Sequence, residues 1–72
     1  LGDYKSKLQE LVQTTKKSLE YKLVGESGPA HDKVFEVEVT IDNIIYGRGS
    51  GKSKKEAEQK AAMDAYNKQA RL

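Results

Sequence analysis

Hydrophobic and polar residues recur along the chain in two different periods, and these periods predict helices at the two ends with strands between them. In the first stretch, mostly apolar positions are spaced three or four residues apart and fall on one helix face (Tyr4, Leu8, Leu11, Val12 and Thr15). Asp3 stands directly before this stretch and can cap the helix. The pattern therefore predicts a first helix that begins at Tyr4.

A short run with a period of two follows the first helix. Tyr21 and Leu23 fall on the same face of the run 20–25, which predicts a strand with these two side chains turned inward. The next stretch, 25–33, is rich in residues that break regular structure, among them Gly25, Gly28 and Pro29. We therefore expect a loop between the first and second strands.

The strongest alternation lies in residues 35–41, where apolar side chains (Phe35, Val37, Val39 and Ile41) alternate with polar ones (Glu36, Glu38 and Thr40). This pattern is typical of an antiparallel strand with one buried and one solvated face. Asp42 and Asn43 can form a tight turn, after which residues 44–50 return as the third strand. Three glycines alternate in and directly after that strand and would let another backbone come close (Gly47, Gly49 and Gly51).

The last element begins with a helix-capping pattern, in which Ser53 is the N-cap and Glu56 stands three residues later. Small residues at helical spacing then predict a helix that lies close to the sheet (Ala57, Ala61, Ala62 and Ala65, with Tyr66 beside them). The element order is therefore α-β-β-β-α. It predicts an α+β fold with two helices on one face of a three-stranded antiparallel sheet, in one domain of residues 1–72 with a core of about residues 3–70.

Composition removes several classes of protein. The 72 residues include no cysteine, which excludes a disulfide scaffold and a cysteine-based zinc site. A single histidine, His31, removes most histidine-rich metal sites and catalytic triads. The apolar runs are too short for a membrane span or a signal peptide. Because the sequence starts at Leu1 and not at methionine, we expect it to be part of a longer protein.

The charge is distributed unevenly, and this distribution points to an anionic partner. Residues 1–47 contain six lysines and eight acidic residues, whereas residues 48–72 contain seven basic and three acidic residues. Lys52, Lys54 and Lys55 crowd the predicted start of the second helix, where the helix dipole disfavours cations. A bound anion would offset this cost. The alternative is that Glu56 and Glu58 neutralise the lysines locally.

Two apparent catalytic motifs fail on inspection. The segment 47–53 resembles a phosphate-binding P-loop, but Tyr46 occupies the position where that motif requires its first glycine. A P-loop domain also needs a parallel sheet, which a chain of 72 residues is too short to form. His31 has no nucleophile or orienting carboxylate near it in sequence, so we do not expect it to act as a catalytic base. The sequence predicts no catalytic residue and no metal ligand.

Several segments together resemble the double-stranded-RNA-binding domain family, and most closely the C-terminal domain of bacterial ribonuclease III. They are the loop Gly28-Pro29-Ala30-His31, the strand 35–39, the alternating glycines, and the helix start Ser53-Lys54-Lys55-Glu56-Ala57 followed by Ala61-Ala62. The opening Asp3-Tyr4-Lys5 with Leu8-Gln9-Glu10 adds to the resemblance. It covers residues 3 to about 70.

The resemblance implies three RNA-contacting regions. Lys5, Gln9 and Gln13 on the first helix would lie in one minor groove. The loop from Gly28 through Pro29 and Ala30 to His31 would enter the next minor groove, and the start of the second helix would hold phosphates across the major groove (Lys52, Ser53, Lys54 and Lys55). One departure is Glu58, where the family often has another lysine.

The resemblance also implies sequence-tolerant binding of A-form double-stranded RNA by a domain that is not itself an enzyme and needs no cofactor. We expect the domain alone to be monomeric and not associated with membranes. Its parent protein is expected to be a cytoplasmic, homodimeric, Mg²⁺-dependent endoribonuclease that processes ribosomal and messenger RNA precursors. Two alternatives remain at this point, a protein-interaction module of the same fold and a ribosomal-protein domain.

Overall fold

A computed structural model describes residues 2–68 of the chain. Within this range the elements are α1 (Tyr4–Gln13), β1 (Leu19–Ser27), β2 (Val34–Ile41), β3 (Ile44–Gly51) and α2 (Lys54–Lys68). The strands form one antiparallel sheet in the order β1-β2-β3. The predicted α-β-β-β-α order and α+β class are confirmed. The predicted domain 1–72 and core 3–70 extend into positions 1 and 69–72, which lie outside the described residues.

The core lies between the sheet and the two helices, because every element except β1 supplies tightly buried side chains or backbone to it. Leu8 and Val12 lie one turn apart on α1 and are almost fully buried. The inward positions of β2 face them, as the alternation predicts, and the alanines of α2 complete the core (Val37, Val39, Ile41, Ala57, Ala61, Ala62 and Ala65). Burial of these apolar surfaces drives the association of helices and sheet.

Glycine and alanine bring the backbones of β3 and α2 into close approach. A Cβ atom added at Gly47 would lie 2.5 Å from the carbonyl oxygen of Ala61 and 2.6 Å from the backbone nitrogen of Ala65. At Gly49, an added Cβ would lie 2.6 Å from the carbonyl oxygen of Ala57. The predicted close approach is therefore confirmed, and it fixes the start of α2 beside the end of β3.

The β2–β3 turn follows the sequence prediction. Asp42 and Asn43 have φ angles of 50° and 67°, the left-handed region that Asn and Asp tolerate better than most residues. The Asp42 carboxylate also accepts hydrogen bonds from the backbone N–H and the hydroxyl of Ser18, at 2.8 and 3.1 Å. The turn is thereby tied to the segment that enters β1.

Two residues differ in exposure from what the alternation predicts. Thr40, expected on the solvated face of β2, is only 4% exposed, and the register with β3 shifts between Val39 and Thr40. Leu23, expected to be inward, is 42% exposed. It lies on the edge strand β1, next to an irregularity in pairing, whereas α2 packs over β2 and β3. Strict alternation does not anticipate such register shifts.

The observed bounds also differ from the predicted ones near the first loop. β1 continues to Ser27, so the connection to β2 is 28–33 and not 25–33. α1 ends at Gln13, and Thr15 therefore lies beyond the helix that was expected to include it. The Thr15 hydroxyl donates to the carbonyl of Val12 at 2.7 Å, and Lys16 follows with a φ of 58°. These local bonds close the C-terminal end of α1.

Candidate nucleic-acid interface

The start of α2 is fixed by hydrogen bonds from its own segment. The Ser53 hydroxyl accepts from the backbone N–H of Glu56 at 3.0 Å, as the capping pattern predicts. The Glu56 carboxylate accepts from the backbone N–H of Lys52 at 3.0 Å, one residue earlier than the reciprocal bond to Ser53 that the pattern implies. This bond from Lys52, followed by the charge of Lys60, lowers the pKa of the Glu56 carboxyl.

The three lysines at this helix start are all exposed, but they differ in their partners. Lys52 Nζ lies 2.7 Å from Asp32 Oδ1. Lys54 and Lys55 form no ion pair with any residue in the range 2–68. Both stand in the first turn of α2, where backbone N–H groups and the helix dipole already favour an anion. These two ammonium groups are therefore positioned to meet an external anion.

The β1–β2 loop is an exposed turn beside the helix start. Gly28 has a φ of 86°, and a Cβ at this position would lie 2.6 Å from the carbonyl oxygen of Asp32. The N–H of Asp32 donates to the Pro29 carbonyl at 2.9 Å, which closes the turn. His31 is exposed and lines a shallow groove of about 360 Å³ together with Lys52. The ion pair between Asp32 and Lys52 joins this loop to the start of α2.

The predicted contact residues on α1 are not equally available. Gln9 and Gln13 are exposed, and Gln9 lines a shallow groove with Ser6 and Glu10. Lys5 is half-buried and its Nζ atom lies 2.6 Å from Glu58 Oε1. The amide side chains can donate and accept hydrogen bonds, so Gln9 and Gln13 offer neutral contacts on this face of α1.

α2 supplies part of the N-terminal cap of α1. Gln59 Oε1 accepts from the backbone N–H groups of Tyr4 and Lys5 at 2.9 and 3.3 Å. Gln59 Nε2 donates to Asp3 Oδ1 at 3.1 Å, and Asp3 also accepts from the N–H and hydroxyl of Ser6. Bonds from the Ser6 hydroxyl first, and from Gln59 second, lower the pKa of the Asp3 carboxyl. The sequence predicts Asp3 as a cap but gives no indication of Gln59.

These contacts place the start of α2 between the other two regions. Gln59 and Glu58 connect it to the start of α1, and Lys52 connects it to the β1–β2 loop through Asp32. The order of the regions on the molecule is thus α1, α2 start, loop. The solvated face of the sheet is different in character, since Glu38 and Arg48 pair there at 3.1 Å beside Glu36.

Within residues 2–68, no group of three or more His, Cys, Asp or Glu side chains is arranged to hold a metal ion. No helix in the same range is both long and apolar enough to cross a bilayer.

The family of the chain follows from comparison with known proteins. The profile of the family "Double-stranded RNA binding motif" matches residues 4–69. Since the match covers nearly the whole chain, the protein belongs to this family of RNA-binding domains.

Its relatives include bacterial ribonucleases. The chain is 58% identical over 69 residues to Ribonuclease 3 of Natranaerobius thermophilus, covering 94% of this chain and 30% of the relative. It is 51% identical over 67 residues to Ribonuclease 3 of Listeria monocytogenes, covering 92% of this chain and 29% of the relative. The chain therefore spans about 30% of the length of the curated relatives that it matches.

A solved structure of Dicer from Pichia stipitis shares the fold. It superposes on the whole of this chain with a TM-score of 0.77 and 36% sequence identity, using 36% of the Dicer chain. The family match and this superposition do not favour the two alternatives left open by the sequence, a protein-interaction module and a ribosomal-protein domain.

Proposed function

We propose that this domain binds A-form double-stranded RNA by its shape, with little dependence on base sequence, through α1, the β1–β2 loop and the start of α2. The observation that carries the proposal is the placement of Lys54 and Lys55 between the other two regions, with no ion pair among residues 2–68. Domains of this class contact two successive minor grooves and the major-groove phosphates between them. The order of the three regions fits that geometry.

The start of α2 contributes the charged contacts. Lys54 and Lys55 are mobile point charges and can meet phosphates whatever the base sequence is. Ser53 belongs to the same cap, and the free N–H groups of the first turn favour an anion further. Lys52 already has Asp32 as a partner, so we expect it to contribute less than Lys54 and Lys55.

The other two regions contribute neutral contacts. Gln9 and Gln13 can donate to and accept from ribose 2′-hydroxyls and base edges in a minor groove. The loop Gly28-Pro29-Ala30-His31 is exposed and is proposed to enter the next minor groove, with His31 as its hydrogen-bonding side chain. B-form DNA lacks the 2′-hydroxyl, which gives the preference for RNA a chemical basis.

We propose further that the domain belongs to a ribonuclease III that cleaves double-stranded RNA, which is supported by the names of its relatives and by their greater length. We place any metal-dependent cleavage in another part of such a protein, and the absence of a cluster of three or more possible metal ligands within residues 2–68 is consistent with that proposal. A homodimeric parent, a cytoplasmic location and a role in processing ribosomal and messenger RNA precursors are parts of the same proposal. The domain by itself is proposed to be monomeric.

The proposal is tested by titrating the chain with three ligands at one moderate salt concentration. These are a duplex RNA of about 16 base pairs, a duplex DNA of the same sequence, and the separate RNA strands. We expect the duplex RNA to bind much more tightly than the other two, and a second duplex RNA of scrambled sequence to bind equally well. Equal affinity for duplex RNA and duplex DNA would contradict the proposal.

A further inference from the structure

The ammonium group of Lys5 is held on two sides. Its Nζ atom lies 2.6 Å from Glu58 Oε1 and 4.9 Å from the centroid of the Tyr21 ring. The Lys5 and Glu58 side chains are only 36% and 30% exposed. An ammonium over an aromatic face and beside a carboxylate is attracted by both, and partial burial reduces screening by salt.

The Lys5–Glu58 ion pair differs in exposure from the Lys52–Asp32 ion pair, which involves another predicted RNA-contacting lysine. Lys52 and Asp32 are 63% and 59% exposed, and such solvated pairs contribute little. Lys5 and Glu58 are about half as exposed, and they join residues 53 positions apart in sequence. Of the two predicted RNA-contacting lysines with an acidic partner, Lys5 is therefore held more firmly.

The position of Glu58 on α2 prevents its carboxylate from moving with the Lys5 side chain toward bound RNA. It lies on α2 next to Gln59, whose side chain caps the first residues of α1. The Tyr21 hydroxyl has no hydrogen-bond partner among residues 2–68, and burial first, then the charge of Glu58, raises the pKa of Tyr21 to about 12. The Glu58 carboxylate thus lies against the Lys5 ammonium, on the same turn of α2 as the Gln59 side chain that caps α1.

We infer that Glu58 is a positioning residue that limits the affinity of the domain for double-stranded RNA, because it holds the Lys5 ammonium back from phosphate oxygens. Contact between the Lys5 ammonium and a phosphate then requires the Lys5–Glu58 pair to break or to stretch. The inference rests on the proposed function and adds a residue that lies outside the predicted contact set. The free energy needed to break the Lys5–Glu58 pair then lowers the affinity for RNA and leaves the unbound domain unaffected.

Replacement of Glu58 by glutamine tests the inference, since the amide keeps the size of the side chain and removes its charge. An exposed to half-buried pair stabilises by up to about 1 kcal/mol, so E58Q should bind duplex RNA about two- to fivefold more tightly. The plot of log affinity against log salt should steepen by up to about one unit, as Lys5 gains a phosphate. Unchanged affinity and an unchanged slope would overturn the inference.

Glu38→Gln is the matched control. It removes one negative charge and breaks the pair with Arg48 at 3.1 Å, but it does so on the opposite face of the sheet. We expect its affinity gain to be less than half that of E58Q. An equal gain in the two variants would reduce the effect to net charge and would overturn the role of Glu58.

A double-mutant cycle with Lys5→Gln separates the held lysine from direct repulsion between Glu58 and RNA. If the pair breaks on binding, E58Q should raise affinity more when Lys5 is present than in the Lys5→Gln background. An equal or larger gain in the Lys5→Gln background overturns the inference. Loss of duplex-RNA binding by the unmodified chain would instead refute the proposed function, so the two failures are distinguishable.

Melting temperatures of all variants show whether the α1–α2 contact survives. If E58Q does not fold, Glu58→Asp keeps the charge and shortens the reach to Lys5. This variant should then bind more tightly than the unmodified chain, by a smaller factor than the twofold to fivefold expected for E58Q. Weaker or equal binding by a folded Glu58→Asp variant would contradict the inference.

Discussion

The starts of the two helices lie side by side, yet their lysines differ in whether they have an acidic partner. At the start of α1, Asp3 and Gln59 cap the backbone, and the Lys5 ammonium is paired with Glu58. At the start of α2, the cap comes from its own segment, and Lys54 and Lys55 have no ion-pair partner within residues 2–68. In this domain Lys54 and Lys55 are therefore open to an external anion, whereas Lys5 already has an acidic partner.

The two helix starts also depend on different supports. α2 rests on β3 through backbone-close contacts at Gly47 and Gly49, whereas α1 is positioned by side chains of α2. The start of α2 is thus the more rigidly placed of the two. This arrangement suits a phosphate clamp, which benefits from a fixed position, at the centre of the interface.

The largest expected effect comes from breaking the support of α2. Gly49→Ala places a Cβ 2.6 Å from the carbonyl oxygen of Ala57, where only backbone could yield. We expect the free energy of unfolding to fall by at least about 1–3 kcal/mol, measured by urea denaturation. Gly25→Ala is the control, because its nearest contact is the flexible end of Glu36 at 2.8 Å. Similar losses in both variants would contradict the proposed tight packing of α2.

The second prediction removes the charges that distinguish α2 from α1. Replacing Lys54 and Lys55 by alanine should weaken binding to all duplex RNAs and flatten the salt dependence by about one unit for each lost phosphate contact. The melting temperature should not fall, since removing cations from the positive end of a helix dipole stabilises by roughly 0.3–1 kcal/mol each.

A control for the lysine variant is the double replacement of Lys17 and Lys22, which are exposed and lie outside the three regions. It removes the same charge and should leave the slope nearly unchanged. If the Lys54 and Lys55 variant keeps the slope of the unmodified chain, the phosphates are held elsewhere. If that variant unfolds, the two lysines have a structural role.

The start of α2 could be predicted from the sequence because its determinants are local. Ser53 and Glu56 are three residues apart, and the capping bond between them is present. The close approach of β3 and α2 could also be predicted, because glycines on β3 face alanines on α2 and no bulky side chain separates the two backbones. The lysines of the first turn are recognisable for the same reason, as their positions relative to the cap are fixed by the helix.

The partners of α1 could not be predicted, because they come from the other end of the chain. Glu58 and Gln59 reach residues 53 to 56 positions away, and their sequence context is that of an ordinary helix surface. The burial of Thr40 also could not be predicted, because Thr40 occupies a polar position in the alternation of its own strand. One extra residue in the partner strand shifts the register, and no local pattern marks where this happens.

The third prediction concerns the neutral contacts of α1. Gln9→Ala should weaken duplex-RNA binding by about fivefold, which corresponds to one hydrogen bond of about 1 kcal/mol, and should leave the salt slope unchanged. Asn67→Ala is the control, because it removes an exposed amide near the other end of α2. A change in slope for Gln9→Ala, or equal weakening by Asn67→Ala, would contradict the division into neutral and charged contacts.

The smallest expected effect is the contribution of the two capping carboxylates, Asp3 and Glu56, to the pH dependence of the free energy of unfolding. The pKa values of Asp3 and Glu56 are lowered from 3.8 and 4.5 by hydrogen bonds in the folded state. A lowered pKa means that each carboxylate stabilises the fold above its unfolded-state pKa and that this contribution is lost as the pH falls through the folded value. Unfolding free energy should therefore decline below about pH 4.5.

Asp3→Asn and Glu56→Gln, unfolded in parallel from pH 7 to pH 2, would divide this decline between the two helix starts. Each variant should lose less stability on acidification than the unmodified chain. The effect should be small, because both carboxyl groups are solvent-exposed. A decline as steep in both variants as in the unmodified chain would show that other carboxyl groups control the acid transition.

The central claim is that α1, the β1–β2 loop and the start of α2 form one surface for double-stranded RNA. Titration of the isotopically labelled chain with a duplex RNA of about 16 base pairs, followed by amide chemical shifts, tests it most directly. We expect the largest shifts in three groups (Gln9 and Gln13; Gly28, Ala30 and His31; and Lys52 to Lys55) and small shifts at Glu36 and Glu38. Shifts concentrated on the solvated face of the sheet, with the three groups unaffected, would contradict the claim.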